Sequence, residues 1–226
     1  MLTFDRIARD GTDRIGVAIE TLVIAGWAGR DAAAIAHHVE ELAAIGVPHP
    51  STTQLYYRVA AQTLTQADRL VVLGPDSSGE IEPVAVAMAD GLWIGVGSDH
   101  TDRKAEAVGI ALSKQLCGKP VGRQLWRYAD IEDHWDNLVL RSWATIQGAR
   151  VLYQESAVSS LRTPRDLIRK YADADRLPPG TLMFCGTPGA IGGIRPATRF
   201  EMELHDPVLK RSLRHGYDID VLPVVS

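Results

Sequence analysis

The amino-acid sequence predicts a single α+β domain that is rich in β-strands and spans residues 1–226. A chain of 226 residues exceeds the commonest domain size, but it fits one β-rich domain and can bury a substantial core. Runs of β-prone residues recur along the chain and are separated by turns rich in Gly, Pro and Asp. Only a few segments show helical spacing.

The first third of the chain contains a strand, a helix and two shorter strands. Residues 15–25 are rich in β-branched residues and lead into a glycine-rich turn, which is typical of a strand. A helix is predicted over about residues 31–45, because Asp31 is a good N-cap and apolar residues recur at helical spacing until a glycine and two prolines. Short strands are predicted at Gln54–Ala60 and Arg69–Leu73.

Residues 80–101 form the most informative stretch, a predicted hairpin that carries three carboxylates. Asp90-Gly91 lies between two β-prone runs and favours a two-residue type I′ turn. With that loop, Glu82 lies directly opposite Asp99 on one face of the sheet. Glu80, two residues before Glu82, shares that face.

Three carboxylates at one point favour a bound cation, because like charges at short range raise one another's pKa. Glu80, Glu82 and Asp99 offer only oxygen ligands, which suit a hard ion such as Mg²⁺ or Mn²⁺ rather than zinc. The alternative is that Glu80 belongs to a surface loop and Asp99 caps the helix that follows.

The rest of the chain contains two more helices and several strands. Thr101 or Asp102 caps a helix that runs to about Leu116, and Val108 and Leu112 are predicted on its buried side. The region that includes three tryptophans, residues 126–143, has no clear periodicity. The other predicted elements are a helix at Thr163–Tyr171 and strands within Val151–Gln154, Thr181–Ala190, Arg199–Leu204 and Tyr217–Val224.

Histidines occur in two segments of interest. On the helix at 31–45, both His38 and His37 are spaced to neighbour Glu41, and a carboxylate beside an imidazole makes a general base. The alternative for these residues is a solvated helix face. His134 lies between Asp133 and Asp136, for which a structural hydrogen bond is the expected role.

Groups suited to an anionic substrate accompany the carboxylates. Arg103 and Lys119 follow Asp99 and are either substrate-binding cations or ordinary surface charges. In Gly186-Thr187-Pro188-Gly189, glycines allow close approach of a ligand, and backbone N–H groups with the Thr187 hydroxyl can hold its oxygens.

Composition narrows the class of partner. The net charge is −4 and the cationic residues are scattered along the chain, so we expect a small-molecule ligand and not nucleic acid. Cys117 and Cys185 suggest neither a disulfide framework nor a zinc site. The chain shows neither a secretory signal nor an apolar run long enough to span a bilayer, so no membrane is expected and a soluble, cytoplasmic protein is predicted.

Taken in order, these motifs resemble the fumarylacetoacetate hydrolase family, in a compact branch of it. The resemblance runs from about residue 25 to residue 187 and departs from the family where Cys185 replaces a Thr. The matching segments are His38-Val39-Glu40-Glu41, Glu80-Ile81-Glu82, Asp99 to Arg103, Lys119, Gln154 and Gly180 to Pro188.

This resemblance implies a mixed β-roll or sandwich of the type of the family's C-terminal domain, with a few peripheral helices. It implies Mg²⁺ or Mn²⁺ on Glu80, Glu82 and Asp99. It also implies a water-activating dyad of His38 and Glu41 on a closing lid. It implies that Lys119 is a catalytic residue. The residues that it implies bind substrate oxygens are Arg103, Gln154, Gly186 and Thr187.

The expected activity is metal-dependent hydrolysis of a C–C bond in a small 1,3-dicarbonyl or 2-oxo acid of the acylpyruvate or fumarylacetoacetate type. Related members that decarboxylate, hydrate or isomerise oxo acids are alternatives, and so is a non-catalytic oxo-acid-binding protein. The family resemblance also implies a homodimer.

Overall fold

The computed structural model describes residues 1–33, 35–36, 39–40 and 51–225. Its strands form an eight-stranded sheet and a five-stranded sheet, with two further two-stranded pairs. In chain order they are β1 (Leu2–Ala8), β2 (Gly11–Val17), β3 (Thr21–Gly26), β4 (Leu55–Val59), β5 (Leu64–Thr65), β6 (Arg69–Leu73), β7 (Ser77–Ser78), β8 (Ile81–Met88), β9 (Gly91–Ser98), β10 (Thr101–Asp102), β11 (Lys119–Pro120), β12 (Gln124–Arg127), β13 (Val139–Ile146), β14 (Ala149–Ala157), β15 (Thr181–Phe184), β16 (Arg199–Asp206) and β17 (Arg211–Leu222).

The large sheet has the order β2-β1-β12-β9-β8-β15-β3-β4 and the smaller one β14-β13-β16-β17-β6. The pairs are β7 with β10 and β5 with β11. Helices with complete bounds are α1 (Arg103–Glu106), α2 (Ile110–Gln115) and α3 (Pro164–Ala172), and residues 32–33, 35–36 and 39–40 are also helical. There are 3₁₀ turns at Ala61–Thr63, Tyr128–Asp130, Glu132–Asn137 and Val158–Ser160. The predicted β-rich α+β class is confirmed.

Strand β8 lies inside the large sheet and is buried along nearly its whole length. Because side chains alternate along a strand, Val84 and Val86 enter one apolar cluster, whereas Ala85 and Ala87 enter the other. The second cluster also contains Phe200 of β16, so it forms the core between the two sheets.

Several predicted elements are confirmed. Strand β6 has the predicted bounds, and α3 begins after Thr163, whose side chain accepts the Asp166 N–H. The region that sequence periodicity left unassigned contains β12, 3₁₀ turns and β13. In β13 the inward positions include Ser142 and Ala144, so small residues conceal the alternation that marks a strand.

The predicted loop of the β8–β9 hairpin is wrong by one residue. Met88 pairs with Gly91, so the loop is Ala89-Asp90. Neither Ala89 nor Asp90 has a positive φ, which excludes the type I′ turn, and Gly91 has a φ of 136°. The glycine therefore follows the loop instead of forming its second residue.

This shift changes the partners of the carboxylates but keeps them on one face. Glu82 lies opposite Gly97, and Asp99 donates its N–H to the Glu80 carbonyl at 3.0 Å. Moving the loop back by one residue displaces every cross-strand partner by two positions. Side chains have a period of two along a strand, so each one still points to the predicted face.

The predicted helix after Asp99 is two short helices with the opposite face buried. Asp102 is the N-cap of α1, as predicted. Val108, Leu112 and Leu116 are exposed, whereas Lys114 is buried, so the predicted buried side is wrong. The physical reason is that carboxylates under α2 pair with Lys114, which an apolar-periodicity argument does not take into account.

The predicted helix at residues 31–45 begins where the sequence indicates. Asp31 accepts the Ala33 N–H on its side chain and the Ile35 N–H on its carbonyl. The residues of the predicted dyad, His38 and Glu41, lie outside the described residues, as does His37.

Two further expectations concern cysteines and membranes. Cys117 and Cys185 are both buried and free of disulfide bonds. Among the described residues, no helix has the length and apolar character that crossing a bilayer requires.

Candidate metal centre

Three predicted ligands, Glu80, Glu82 and Asp99, come together at the open end of the β8–β9 hairpin. Each contributes one carboxylate oxygen to a group in which these atoms lie within 4.8 Å of one another. Glu82 and Asp99 are buried, and Glu80 is partly exposed. This cluster can hold a metal ion.

Two buried lysines contact the innermost carboxylate. Lys114 bonds to Asp99 Oδ2, and its Nζ lies 3.7 Å from Glu80 Oε2. Lys119 Nζ lies 2.9 Å from Asp99 Oδ1 and donates to the His100 carbonyl. Burial disfavours the charged form of Lys114, but Asp99 and Glu80 outweigh it and raise its pKa. Burial, with repulsion from Lys114, lowers the pKa of Lys119 despite the attraction of Asp99.

Arg103 lies on the other side of Glu80. Its Nη2 is 2.9 Å from Glu80 Oε1, its Nη1 is 3.0 Å from Glu106 Oε2, and its Nε donates to Ser78 Oγ at 2.7 Å. The guanidinium therefore holds one ligand of the cluster in place. Contact between Arg103 and a substrate stays a prediction.

The buried oxygens of the cluster are incompletely satisfied by the protein. Asp99 Oδ1 has no well-directed hydrogen bond, although Lys119 is close to it. Glu82 accepts one N–H, from Gly186 at 2.7 Å. Burial, and then the negative charge of Asp99, raise the pKa of Glu82 well above its usual range. Both oxygens are thus suited to an added positive charge.

The formal charges around the cluster leave a negative excess. Lys114, Lys119 and Arg103 supply three positive charges, against four negative charges on Glu80, Glu82, Asp99 and Glu106. This excess of one negative charge favours a bound cation, and the donor set of carboxylate oxygens is that of Mg²⁺ or Mn²⁺.

The glycine-rich segment lies against the same cluster and is held by Gln154. Gln154 Nε2 donates to Thr187 Oγ1 at 2.8 Å and to the Pro188 carbonyl at 2.6 Å, and its Oε1 accepts the Ile81 N–H at 3.1 Å. Gln154 and the Gly186 N–H are therefore engaged within the protein, which is a positioning role. The hydroxyl of Thr187 is the more exposed group. Substrate binding by Gln154, Gly186 and Thr187 stays a prediction.

The backbone at position 186 requires a glycine. Its φ is 99°, and a Cβ there would lie 2.6 Å from the Cβ of Ala28. A glycine lets the chain turn closely enough for its N–H to reach Glu82.

Sequence reasoning missed two residues at the cluster, Lys114 and Tyr57. Lys114 Nζ lies 5.9 Å from the centre of the Tyr57 ring. A Cβ on Gly26 would lie 2.6 Å from Tyr57 Cε2, so the ring packs directly on the backbone of β3. The available signal was a lysine between Asp99 and Lys119, but apolar spacing pointed to the other helix face.

His134 belongs to a different part of the molecule. Its Nε2 lies 3.1 Å from both carboxylate oxygens of Asp206, which is buried. Asp206 also accepts the N–H groups of Val208 and Leu209. The predicted structural hydrogen bond of His134 is confirmed.

Comparison with protein families gives one match. A family model described as "Protein of unknown function (DUF2848)" matches residues 25–217. The comparison with curated proteins gives no match.

Solved structures with the same fold include two groups of proteins. A structure of Cg1458 with inhibitor is 18% identical, with a TM-score of 0.64, and the match covers 95% of this chain and 81% of that one. A structure of 2-keto-3-deoxy-D-arabinonate dehydratase complexed with magnesium and 2,5-dioxopentanoate is 13% identical, with a TM-score of 0.61, covering 95% and 85%. At these identities the matches show a shared fold.

Proposed function

Because this chain belongs to the DUF2848 family of proteins of unknown function, we propose its activity from its site: it is a divalent-metal-dependent enzyme that acts on a small 2-oxo acid. The observation that carries the proposal is the cluster of Glu80, Glu82 and Asp99, whose ligand atoms lie within 4.8 Å of one another. The magnesium and dioxo acid in the structure of 2-keto-3-deoxy-D-arabinonate dehydratase support it, because that protein has the same fold.

Each group around the cluster has a role in this proposal. Glu80, Glu82 and Asp99 hold Mg²⁺ or Mn²⁺, which when bound polarises the oxo group of the substrate. Lys114 keeps Asp99 ionised, and Arg103 holds the Glu80 carboxylate in place, through the ion pairs described above.

The leading reaction is hydrolysis of the C–C bond of an acylpyruvate. His38, oriented by Glu41, takes a proton from water, and the water oxygen attacks the distal carbonyl. The bond between that carbonyl and the methylene group breaks, and its electron pair forms an enolate that a proton converts to pyruvate. The products are a carboxylic acid and pyruvate. Lys119 and Thr187 bind substrate oxygens in this scheme.

Dehydration is the second candidate reaction. A solved structure with the same fold is a 2-keto-3-deoxy-D-arabinonate dehydratase. In this reaction a base removes a proton from the carbon beside the oxo group, and a hydroxyl group leaves the next carbon as water. The same anchoring of the 2-oxo acid serves both reactions.

The test is a substrate panel assayed with and without Mg²⁺ or Mn²⁺. Acylpyruvates report hydrolysis, 2-keto-3-deoxy sugar acids report dehydration, and oxaloacetate reports decarboxylation. Turnover of acylpyruvates that requires the ion is the expected result. Metal-dependent binding of oxo acids without product, unchanged in His38→Ala, would instead identify a binding protein.

The proposal includes a single domain at residues 1–226, a homodimer and a cytoplasmic location. The dimer rests on the family resemblance, and light scattering that gives a monomer at every concentration would contradict it. The location rests on cysteine usage, since disulfides are rare in a reducing compartment.

A further inference from the structure

A chain of buried polar side chains joins the two sheets beside the metal centre. Ser77 Oγ lies 2.9 Å from His100 Nε2, and His100 Nδ1 lies 2.9 Å from the hydroxyl of Tyr217. That hydroxyl donates to Ser98 Oγ at 2.9 Å. The residues belong to β7, the β9–β10 connection, β17 and β9, so the chain crosses from the large sheet to the smaller one.

The direction of these bonds determines the state of His100. Tyr217 donates its only proton to Ser98, so its oxygen accepts from His100 Nδ1–H. His100 Nε2 then accepts from the Ser77 hydroxyl. Burial, with the charges of Lys119 and Arg103, lowers the pKa of His100 to about 3, which agrees with a neutral ring. The imidazole is therefore a fixed hydrogen-bond relay.

The chain ends on the backbone of two metal ligands. Ser98 Oγ accepts the N–H of Glu80 at 3.2 Å, and the Glu80 carbonyl accepts the N–H of Asp99 at 3.0 Å. The backbone carbonyl of His100 accepts from Lys119, which also lies against Asp99. Glu80 and Asp99 are thus fixed to each other and to the relay.

Packing holds the relay in one arrangement. Ser98, His100 and Tyr217 are fully buried. The Tyr217 ring packs edge-on against the His100 ring, with 5.7 Å between ring centroids, and against the Phe200 ring, with 5.9 Å between centroids. A buried polar network that is fully satisfied specifies a single geometry, because every alternative leaves a polar group without a partner.

We propose that His100 and Tyr217 are positioning residues of the metal centre. They hold the backbone of Glu80 and Asp99 at the separation that a bound divalent ion requires, and they thereby set its affinity. Their polar side-chain atoms bond to Ser77, to Ser98 and to each other, and not to the carboxylate oxygens. This inference rests on the proposed metal site.

The first test is Tyr217→Phe, with metal binding measured by titration calorimetry using Mg²⁺ or Mn²⁺ alone. Loss of the hydroxyl should raise the Kd by about 10–100-fold, as is typical when an outer partner of a metal ligand is removed. Tyr153→Phe is the matched control, because Tyr153 is also buried and also packs on Phe200, and its hydroxyl oxygen accepts the Arg195 N–H outside the relay. The control should retain the wild-type Kd.

A graded series at His100 separates positioning from general support. Asparagine keeps an N–H donor near the position of Nδ1, so His100→Asn should retain more metal affinity than His100→Leu. Ser98→Ala, a small change that removes the acceptor for Glu80, should weaken binding even if a larger substitution fails to fold.

The outcomes distinguish the two proposals. If the wild-type protein binds neither ion, the proposed function fails and this inference fails with it. If the wild type binds but Tyr217→Phe and Ser98→Ala shift the Kd no more than Tyr153→Phe, only the positioning role is overturned.

Discussion

The ammonium group of Lys114 bonds to the carboxylate of Asp99, 15 residues earlier in the chain, and both side chains are buried. The same ammonium group lies 3.7 Å from Glu80. A lysine thus occupies one side of the carboxylate cluster, where it raises the positive potential without being a metal ligand.

Replacement of Lys114 by methionine should impair turnover, because Lys114 keeps the metal ligand Asp99 ionised. Methionine keeps the apolar stem and removes the charge that stabilises Asp99 and an anionic substrate. Turnover should fall about 10²–10⁴-fold, the range for loss of a positioned charged group. The measurement is steady-state kinetics beside calorimetric metal binding. Lys104→Met, at an exposed position on α1, is the control that should behave as wild type.

Glu82→Gln should abolish binding of the divalent ion without unfolding the protein. Glutamine keeps an acceptor for the Gly186 N–H but removes one of three anionic ligands. Thermal shift with and without Mg²⁺ reports the change, since an ion that binds the folded state raises the Tm. Glu203→Gln changes a buried carboxylate that pairs with Arg214 outside the cluster, and its Mg²⁺ response should remain.

His38→Ala should spare the ion and lower turnover about 10²–10⁴-fold, because a general base acts on water and not on the metal. His37→Ala is the natural control, since His37 is also spaced to neighbour Glu41 on a helix. Full turnover in His38→Ala together with inactivity in His37→Ala would show that the dyad was assigned to the wrong histidine.

Gln154→Leu should destabilise the fold by about 1–3 kcal/mol, the cost of leaving buried polar groups without a partner. The Ile81 N–H and the Pro188 carbonyl both lose hydrogen bonds in this variant. Urea unfolding measures the effect. Ser142→Ala removes only the bond that Ser142 makes to Gln154, so a loss as large as that of Gln154→Leu would contradict this account.

His100 makes stability depend on pH in a defined direction. Its pKa is about 3 in the folded protein and near 6.5 when unperturbed, so between these values the unfolded chain binds a proton that the folded protein does not. The free energy of unfolding should therefore fall as the pH decreases below about 6.5, by up to ~1.4 kcal/mol per pH unit. Urea unfolding at about pH 7, 6 and 5 measures this decline. The free energy of unfolding should fall less steeply in His100→Asn than in the wild type. Parallel curves would exclude this linkage.

The carboxylate cluster was predictable because it depends only on the periodicity and pairing of two adjacent strands. Glu80 and Glu82 share a face through the period of a strand, and Asp99 returns on the paired strand. The predicted loop of the β8–β9 hairpin was wrong by one residue. That error displaces each cross-strand partner by two positions, so each side chain stays on the predicted face of the sheet. An odd shift would have separated Glu82 from Asp99.

Lys114, Tyr57 and the roles of Gln154 and Gly186 were not predictable by the same logic. Lys114 is buried because carboxylates of another element pair with it, so helix periodicity gives the wrong face. Gln154 and Gly186 bond to groups of the protein that only tertiary packing brings near. Sequence patterns report which residues suit a ligand, whereas packing decides which of them are already engaged.

The hairpin and the polar relay differ in how far along the chain they reach. Glu80 and Ser98 are 18 residues apart, whereas His100 and Tyr217 are 117 residues apart. Closing a short loop costs less chain entropy than closing a long one, so the ligands can meet before β17 docks on the other sheet. The proposed metal ligands are therefore neighbours along the chain, whereas the relay that holds them forms only when β17 has docked on the other sheet.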